Sequence, residues 1–112
     1  MTNSSLNKGT KAETAVVGAL RPRYPMAERR AKTGAKDTGD IGGVDPRLVL
    51  EVKACATYDL PGWLREADVE RTNAHAQLAA VWFKLRGKTD PLEWPVLMRG
   101  RFFLPLLEAW TS

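Results

Sequence analysis

The sequence contains a single cysteine, Cys55, and a single histidine, His75. One cysteine excludes an intramolecular disulfide, and the two residues do not make a zinc site of the cysteine and histidine type. Any metal ion must therefore be held by oxygen ligands. Long hydrophobic runs are also missing: no segment approaches the roughly 20 apolar residues that span a bilayer, and the first residues lack the apolar core of a signal peptide. These absences predict a soluble intracellular protein.

The length and composition favour one small globular domain. With 112 residues, of which 44% are apolar, the chain is predicted to form a single domain over residues 1–112. A domain of this size buries a modest core, so dimerisation would be a natural supplement to its stability.

Positive charge is concentrated in the first third of the chain. Eight lysines and arginines against two glutamates give residues 1–36 a charge of +6, and since the whole chain carries +4, the remainder carries −2. This asymmetry favours a phosphate-binding face and nucleic acid as a partner. A solvated surface that only keeps the protein in solution would have the same composition.

Hydrophobic periodicity and capping residues predict an α/β domain. Thr10 and Glu13 match a capping box, and the apolar stripe after them predicts a helix over about residues 11–20. Asp59 and Pro61 predict the start of a second helix. The further elements are expected at about these ranges: strands 24–31, 40–44, 47–54, 78–87 and 93–100, the second helix 62–76, and a C-terminal helix 101–110 whose start Pro105 would shift. The order αβββαβ, followed by a strand and a helix, predicts a mixed sheet.

Two acidic residues are predicted to face each other across a hairpin. If the strands turn about the bond between Asp45 and Pro46, Asp40 lies opposite Glu51, with β-carbons about 4.5 to 5.5 Å apart. Opposed carboxylates repel each other more strongly as water is excluded, so they need a compensating cation or a shared proton. A divalent metal, Mg²⁺ or Mn²⁺, is the simplest compensation because these ions prefer oxygen ligands. A register slip of one residue would send Glu51 to the other face.

Lys53 lies two residues after Glu51, so strand periodicity places both side chains on one face and Leu50 and Val52 on the other. An ammonium beside a metal would orient or help to deprotonate an attacking water and would stabilise negative charge on a phosphoryl group. This combination suits hydrolysis of a phosphodiester. The alternative is a partly exposed strand with an ordinary Glu–Lys pair.

Three motifs resemble those of the PD-(D/E)XK nuclease superfamily: Glu13 in the first helix, GDI at 39–41 and LEVK at 50–53. More narrowly, the order of KGTKAE, RRAKTGAKDTGDIGG, LEVKAC, a helix and the FKLRG strand is similar to that of the archaeal and phage Holliday junction resolvases, over nearly the whole chain. Gly39 stands where the superfamily name has proline, and this variation removes no ligand.

The resemblance implies a restriction-endonuclease-like αβββαβ core with a mixed central sheet, a homodimer with two active sites, and cutting of DNA that depends on Mg²⁺ or Mn²⁺. Asp40, Glu51 and the Val52 carbonyl would bind the metal, and Lys53 would be catalytic. Glu13 would add a ligand directly or through water. The competing interpretation of Glu13 is the capping box at the helix start.

Basic residues in the first third of the chain are expected on the DNA face, since in the resolvases the loop before the acidic strand approaches DNA. The residues expected to contact phosphates are Lys8, Lys11, Arg29, Arg30, Lys32 and Lys36. Asp37 lies among them and is expected to order the loop through nearby arginine or lysine side chains rather than to bind metal. An ordinary solvated loop would look the same.

The expected function is that of a metal-dependent DNA endonuclease, most similar to a homodimeric Holliday junction resolvase that cuts four-way junctions in the cytoplasm of a bacterial cell or a phage-infected host. A nuclease acting on ordinary or damaged duplex keeps the chemistry but changes the substrate. A non-catalytic DNA-binding module would use the basic residues alone. His75 and Cys55 lack catalytic partners, and the four tryptophans are expected in the core or a dimer interface.

Overall fold

The structure, a computed structural model, describes residues 4–31 and 36–112, and three α-helices and five strands are assigned in these ranges. In chain order they are α1 (Ser4–Leu20), β1 (Glu28–Arg29), β2 (Ile41–Gly42), β3 (Leu48–Lys53), α2 (Leu60–Ala74), β4 (Leu78–Phe83), β5 (Val96–Leu97) and α3 (Gly100–Thr111), with a 3₁₀ turn at Pro91–Glu93. Within the described ranges, no helix has both the length and the apolar character needed to cross a bilayer. The predicted α/β class is confirmed.

The five strands form one mixed sheet in the order β1-β2-β3-β4-β5. β3 and β4 run parallel, whereas the other three neighbouring pairs are antiparallel. Two parallel strands need a crossover connection, and α2 provides it. β3 is the central strand of the sheet, with β2 on one side and β4 on the other.

The hairpin of β2 and β3 has the predicted register. Ile41 pairs with Leu50, and this places Asp40 opposite Glu51. Asp45 stabilises the turn because its carboxylate accepts the N–H of the residue two positions later at 2.9 Å. The opposition of the two acids, on which the predicted metal site depends, is thus present in the fold.

The two faces of β3 are covered by different helices. Leu50 and Val52 pack in a core cluster with α1, whereas Val49 packs in a second cluster with α2. Alternation along the strand then places Glu51 and Lys53 on the side of α2. The same alternation separates the side chains of β4, which fill both clusters.

Several elements differ in extent from the prediction. α1 begins earlier than predicted, so Thr10 lies inside the helix and the capping-box interpretation of Glu13 is wrong. β1 has two residues instead of the predicted 24–31, because the Ala27 N–H donates to a carbonyl three residues earlier and closes a turn there. Pro105 lies within α3 and does not shift its start.

The predicted start signals of α2 are confirmed, although the helix spans Leu60–Ala74 instead of the predicted 62–76. Asp59 caps the helix by accepting the N–H of Gly62 at 3.1 Å, and Pro61 stands in the first turn. The helix ends at Ala74, and the residue that caps it, His75, adopts the left-handed conformation with φ 52°. The histidine of the chain is therefore a helix cap.

α3 leaves an apolar face exposed. Phe102 is its buried residue. The exposed large apolar side chains of this helix are Phe103, Leu104, Leu106, Leu107 and Trp110. Trp63 and Trp94, in contrast, are buried in the two core clusters, as predicted.

Candidate metal centre

Asp40 is fixed at the entrance to β2 by its backbone and its side chain. Its N–H donates to the Leu50 carbonyl at 3.0 Å, and its carbonyl accepts the N–H of Arg30 at 2.8 Å. The residue is only 1% exposed, and its Oδ2 accepts the Val52 N–H at 2.8 Å. These bonds hold the carboxylate against β3, beside Glu51.

The loop before Asp40 depends on Gly39, whose φ of 104° is closed to proline and rare for other L-residues. A β-carbon at this position would lie 3.0 Å from Cγ1 of Val49 and 3.3 Å from the Leu50 carbonyl oxygen. The Asp37 carboxylate accepts the Gly39 N–H at 2.9 Å, and the Asp37 carbonyl accepts from the Asn73 amide at 3.0 Å. Asp37 therefore orders the loop, but through the backbone and α2 rather than through arginine or lysine.

Gly39→Ala is expected to lower the free energy of unfolding by about 1 to 3 kcal/mol, because it combines a positive φ with a crowded β-carbon. Urea unfolding measures the change. Gly18→Ala, in α1 with open space around it, is the matched control and should stabilise the protein by about 0.5 to 1 kcal/mol. Similar effects of the two substitutions would show that this backbone conformation is not required.

Glu51 brings a second buried carboxylate to Asp40. It is 3% exposed, and its Oε1 has no hydrogen-bond partner among the described residues. Burial raises the pKa of Glu51 well above its usual range, and the charges of Asp40 and Glu70 raise it further. Clustered buried acids are costly unless protons or a cation neutralise them.

Lys53 places an ammonium at the edge of this cluster. Its Nζ lies 3.5 Å from Glu51 Oε2 and 2.8 Å from Glu66 Oε2. Burial lowers the pKa of Lys53, but the hydrogen bond to Glu66 and the charge of Glu51 more than offset that effect, so the pKa is raised. Lys53 is therefore a protonated, positively charged group in this site.

Two acids of α2 join the site, and neither was among the site residues predicted from the sequence. Glu70 is buried, whereas the apolar side chain before it, Val69, is exposed. Carboxylate oxygens of Glu51, Glu66 and Glu70 all lie within 4.8 Å of one another. The i, i+4 spacing of Glu66 and Glu70 is the feature of the sequence that could have indicated them. Like charges at that spacing destabilise an isolated helix, so their presence favours a role in a site.

The donor atoms fit a hard divalent cation. Carboxylates from Asp40, Glu51 and Glu70 meet here, and the Val52 carbonyl points to the same strand edge as its N–H, toward Asp40. The pKa of Glu70 is raised, mainly by burial, and its Oε1, like that of Glu51, is a buried acceptor without a hydrogen-bond donor among the described residues. Mg²⁺ and Mn²⁺ take such oxygen ligands.

Glu13 approaches the cleft from α1 and is buried. Its Oε1 accepts a hydrogen bond from Arg29 Nε at 3.0 Å, and Arg29 also donates to the Thr10 hydroxyl at 3.5 Å. The cleft has a volume of about 300 Å³. All of the predicted catalytic and metal-binding residues line it: Glu13, Asp40, Glu51, Val52 and Lys53.

Four of the six predicted DNA contacts line one of two adjoining cavities. Arg29 and Arg30 line the acidic cleft, whereas Lys8 and Lys11 line its neighbour. Of the remaining two, Lys36 is exposed and Lys32 lies outside the described residues.

Comparisons of the chain with protein-family models, with curated proteins and with solved structures find no match. The interpretation of the site therefore depends on its own geometry and charges.

Proposed function

We propose that the protein is a metal-dependent endonuclease that hydrolyses DNA phosphodiesters at a PD-(D/E)XK site, on a restriction-endonuclease-like core. The observation that carries the proposal is the burial of Asp40 and Glu51 side by side in a cleft that Lys53 also lines. Buried like charges oppose folding. Their presence favours a site that a bound cation neutralises.

Asp40, Glu51 and the Val52 carbonyl would hold Mg²⁺ or Mn²⁺, and Glu13 would add a ligand directly or through water. The ion would supply Lewis acidity to the phosphoryl group and lower the pKa of a water in the cleft. Lys53 would be the catalytic side chain, because its ammonium can stabilise negative charge that builds on the phosphoryl oxygens.

Two neighbours position the groups that meet the substrate. Glu66 holds the Lys53 ammonium at 2.8 Å and so restricts where its charge lies. Arg29, whose side chain is 44% exposed, stands at the cleft wall and can attract a phosphate into it. Binding of the substrate and stabilisation of the transition state are thus assigned to different residues.

The proposed substrate is branched DNA, in particular a four-way junction, cut by a homodimer with one site in each chain. A two-fold dimer would present two sites to a junction of matching symmetry. The exposed apolar face of α3 supports a second copy as the partner, because contiguous apolar surface of this kind usually marks an interaction site. Such an enzyme would act in the cytoplasm of a bacterial cell or a phage-infected host.

Ordinary or damaged duplex DNA is the second candidate substrate, since the same cleft chemistry serves any accessible phosphodiester. A non-catalytic DNA-binding module is supported less well. Carboxylates such as Asp40 and Glu51 would repel phosphates and would weaken, rather than strengthen, a surface that only binds DNA.

Cleavage of a labelled four-way junction, beside a linear duplex of matched sequence, tests the proposal. We expect paired cuts at the junction with Mg²⁺ or Mn²⁺ and no cutting in EDTA. Equal cutting of the duplex would retain the nuclease and reject the resolvase. Tight binding without cutting would favour the binding module.

A further inference from the structure

A second cavity, of about 530 Å³, adjoins the metal cleft. Ala54 and Cys55, which follow β3, line both cavities. The basic residues that line the second cavity come from α1 and from the segment after β4: Lys8, Lys11, Lys84 and Arg86. None of the described residues that line it is acidic. The cavity is therefore strongly positive, whereas its neighbour is rich in carboxylates.

The cavity also has an apolar and aromatic wall that is held in place. Tyr58 accepts the backbone N–H of Arg86 at 2.9 Å, and its ring packs edge-on against Phe83 at 5.3 Å. The Arg86 guanidinium lies 5.9 Å from the centre of the Tyr58 ring and donates to the Ala56 carbonyl. Trp94 contributes a second ring and is fixed by a 2.9 Å hydrogen bond from its indole N–H to the backbone.

None of the four cations has a counter-charge among the described residues. Neither the three lysines, Lys8, Lys11 and Lys84, nor Arg86 forms an ion pair with any described residue. Several uncompensated positive charges around one concavity repel each other and raise the local concentration of anions. A phosphate-bearing ligand would relieve this repulsion.

We propose that this cavity binds an unpaired nucleotide next to the phosphodiester that is cut. The phosphates on its two sides would contact Lys84 and Arg86, and its sugar and base would lie against Tyr58. A basic groove with aromatic rings is the combination that binds single strands, and the volume is in the range of small-molecule sites. The inference rests on the proposed function of the cleft and specifies its substrate.

Because the two cavities share a wall, one DNA strand could occupy both of them. Ala54 and Cys55 line both the cavity and the cleft, so a DNA strand whose phosphate lies at Lys53 would enter the basic cavity at an adjacent nucleotide. A base that is paired within a duplex cannot enter such a concavity. The cavity therefore favours DNA in which the nucleotide beside the cut is unpaired, and at a four-way junction a base pair at the branch point would have to open.

Binding of a short fluorescein-labelled oligothymidylate, measured by anisotropy with Ca²⁺ in place of Mg²⁺, tests the proposal. The double variant Lys84→Ala/Arg86→Ala is expected to bind about tenfold more weakly at about 0.1 M salt. Its plot of log affinity against log salt should flatten by about 1.4, because each phosphate contact on a single strand contributes about 0.7. Lys84→Ala alone, which breaks no internal bond, should flatten the plot by about 0.7.

Arg65→Ala is the matched control, because Arg65 is exposed on α2 and lines neither cavity. The proposal would be overturned if Lys84→Ala and the double variant bound the oligothymidylate with the same affinity and salt dependence as Arg65→Ala. Asp40→Asn separates this result from the function of the cleft. If Asp40→Asn still cuts DNA in the presence of metal, the proposed function of the cleft is wrong. The salt dependence of oligothymidylate binding by Lys84→Ala tests the second cavity independently of that result.

Discussion

Asp40→Asn is expected to slow metal-dependent cleavage of a four-way junction by about 1,000-fold or more, while DNA binding is unchanged or improved. The loss of a charged ligand removes several kcal/mol of transition-state stabilisation, and about 1.4 kcal/mol corresponds to a factor of ten. Asparagine keeps an oxygen that can accept the Val52 N–H, so the hairpin should remain folded. Binding should not suffer because the substitution removes a negative charge that repels phosphates. Single-turnover cleavage rates measure the effect.

Three companion variants make the result specific. Glu51→Gln should cause a loss as large as that of Asp40→Asn, whereas Asp45→Asn, at the exposed hairpin turn, should cut as the wild type does. Glu66→Gln should cost only about tenfold, because Glu66 positions Lys53. If Glu66→Gln lost as much cleavage activity as Asp40→Asn, the metal would have to be assigned to the acids of α2. Cutting retained by Asp40→Asn would show that the site is assigned wrongly.

The hairpin could be predicted from the sequence because its determinants are local. The Asp45-Pro46 turn and the alternation of Leu50 and Val52 with charged residues allow one register that buries the apolar pair. That register alone places Asp40 opposite Glu51. The core of the candidate metal site therefore follows from a short stretch of chain.

The rest of the site depends on tertiary proximity, which periodicity does not encode. Glu70 reaches Glu51 only because α2 crosses from β3 to β4 and packs on that face of the sheet. Lys84 joins Lys8 and Lys11 only because the end of β4 lies beside α1. The start of α1 was missed for a different reason: a Thr and a Glu at capping-box spacing occur here inside a helix, where neither caps it.

In the absence of divalent metal, the protein is expected to lose stability as the pH rises from about 5 to about 8. Burial raises the pKa of both Glu51 and Glu70 above the unfolded value of about 4.3. The folded protein then holds protons that the unfolded chain releases. The stability that these groups contribute is fully present below the unfolded pKa, and it is lost as the pH rises through their raised folded values.

Glu70→Gln isolates this effect, because an amide cannot acquire the buried charge. In EDTA at about pH 8, the variant should have a Tm about 4 °C or more above that of the wild type, and at about pH 5 the two should unfold together. Glu108→Gln, which changes an exposed acid of α3, is the control and should have no effect. Mn²⁺ should stabilise the wild type more at the higher pH, since cations bind deprotonated carboxylates. If the stabilities of the wild type and Glu70→Gln change alike with pH, the chain neutralises these acids by itself, and their burial does not require a metal.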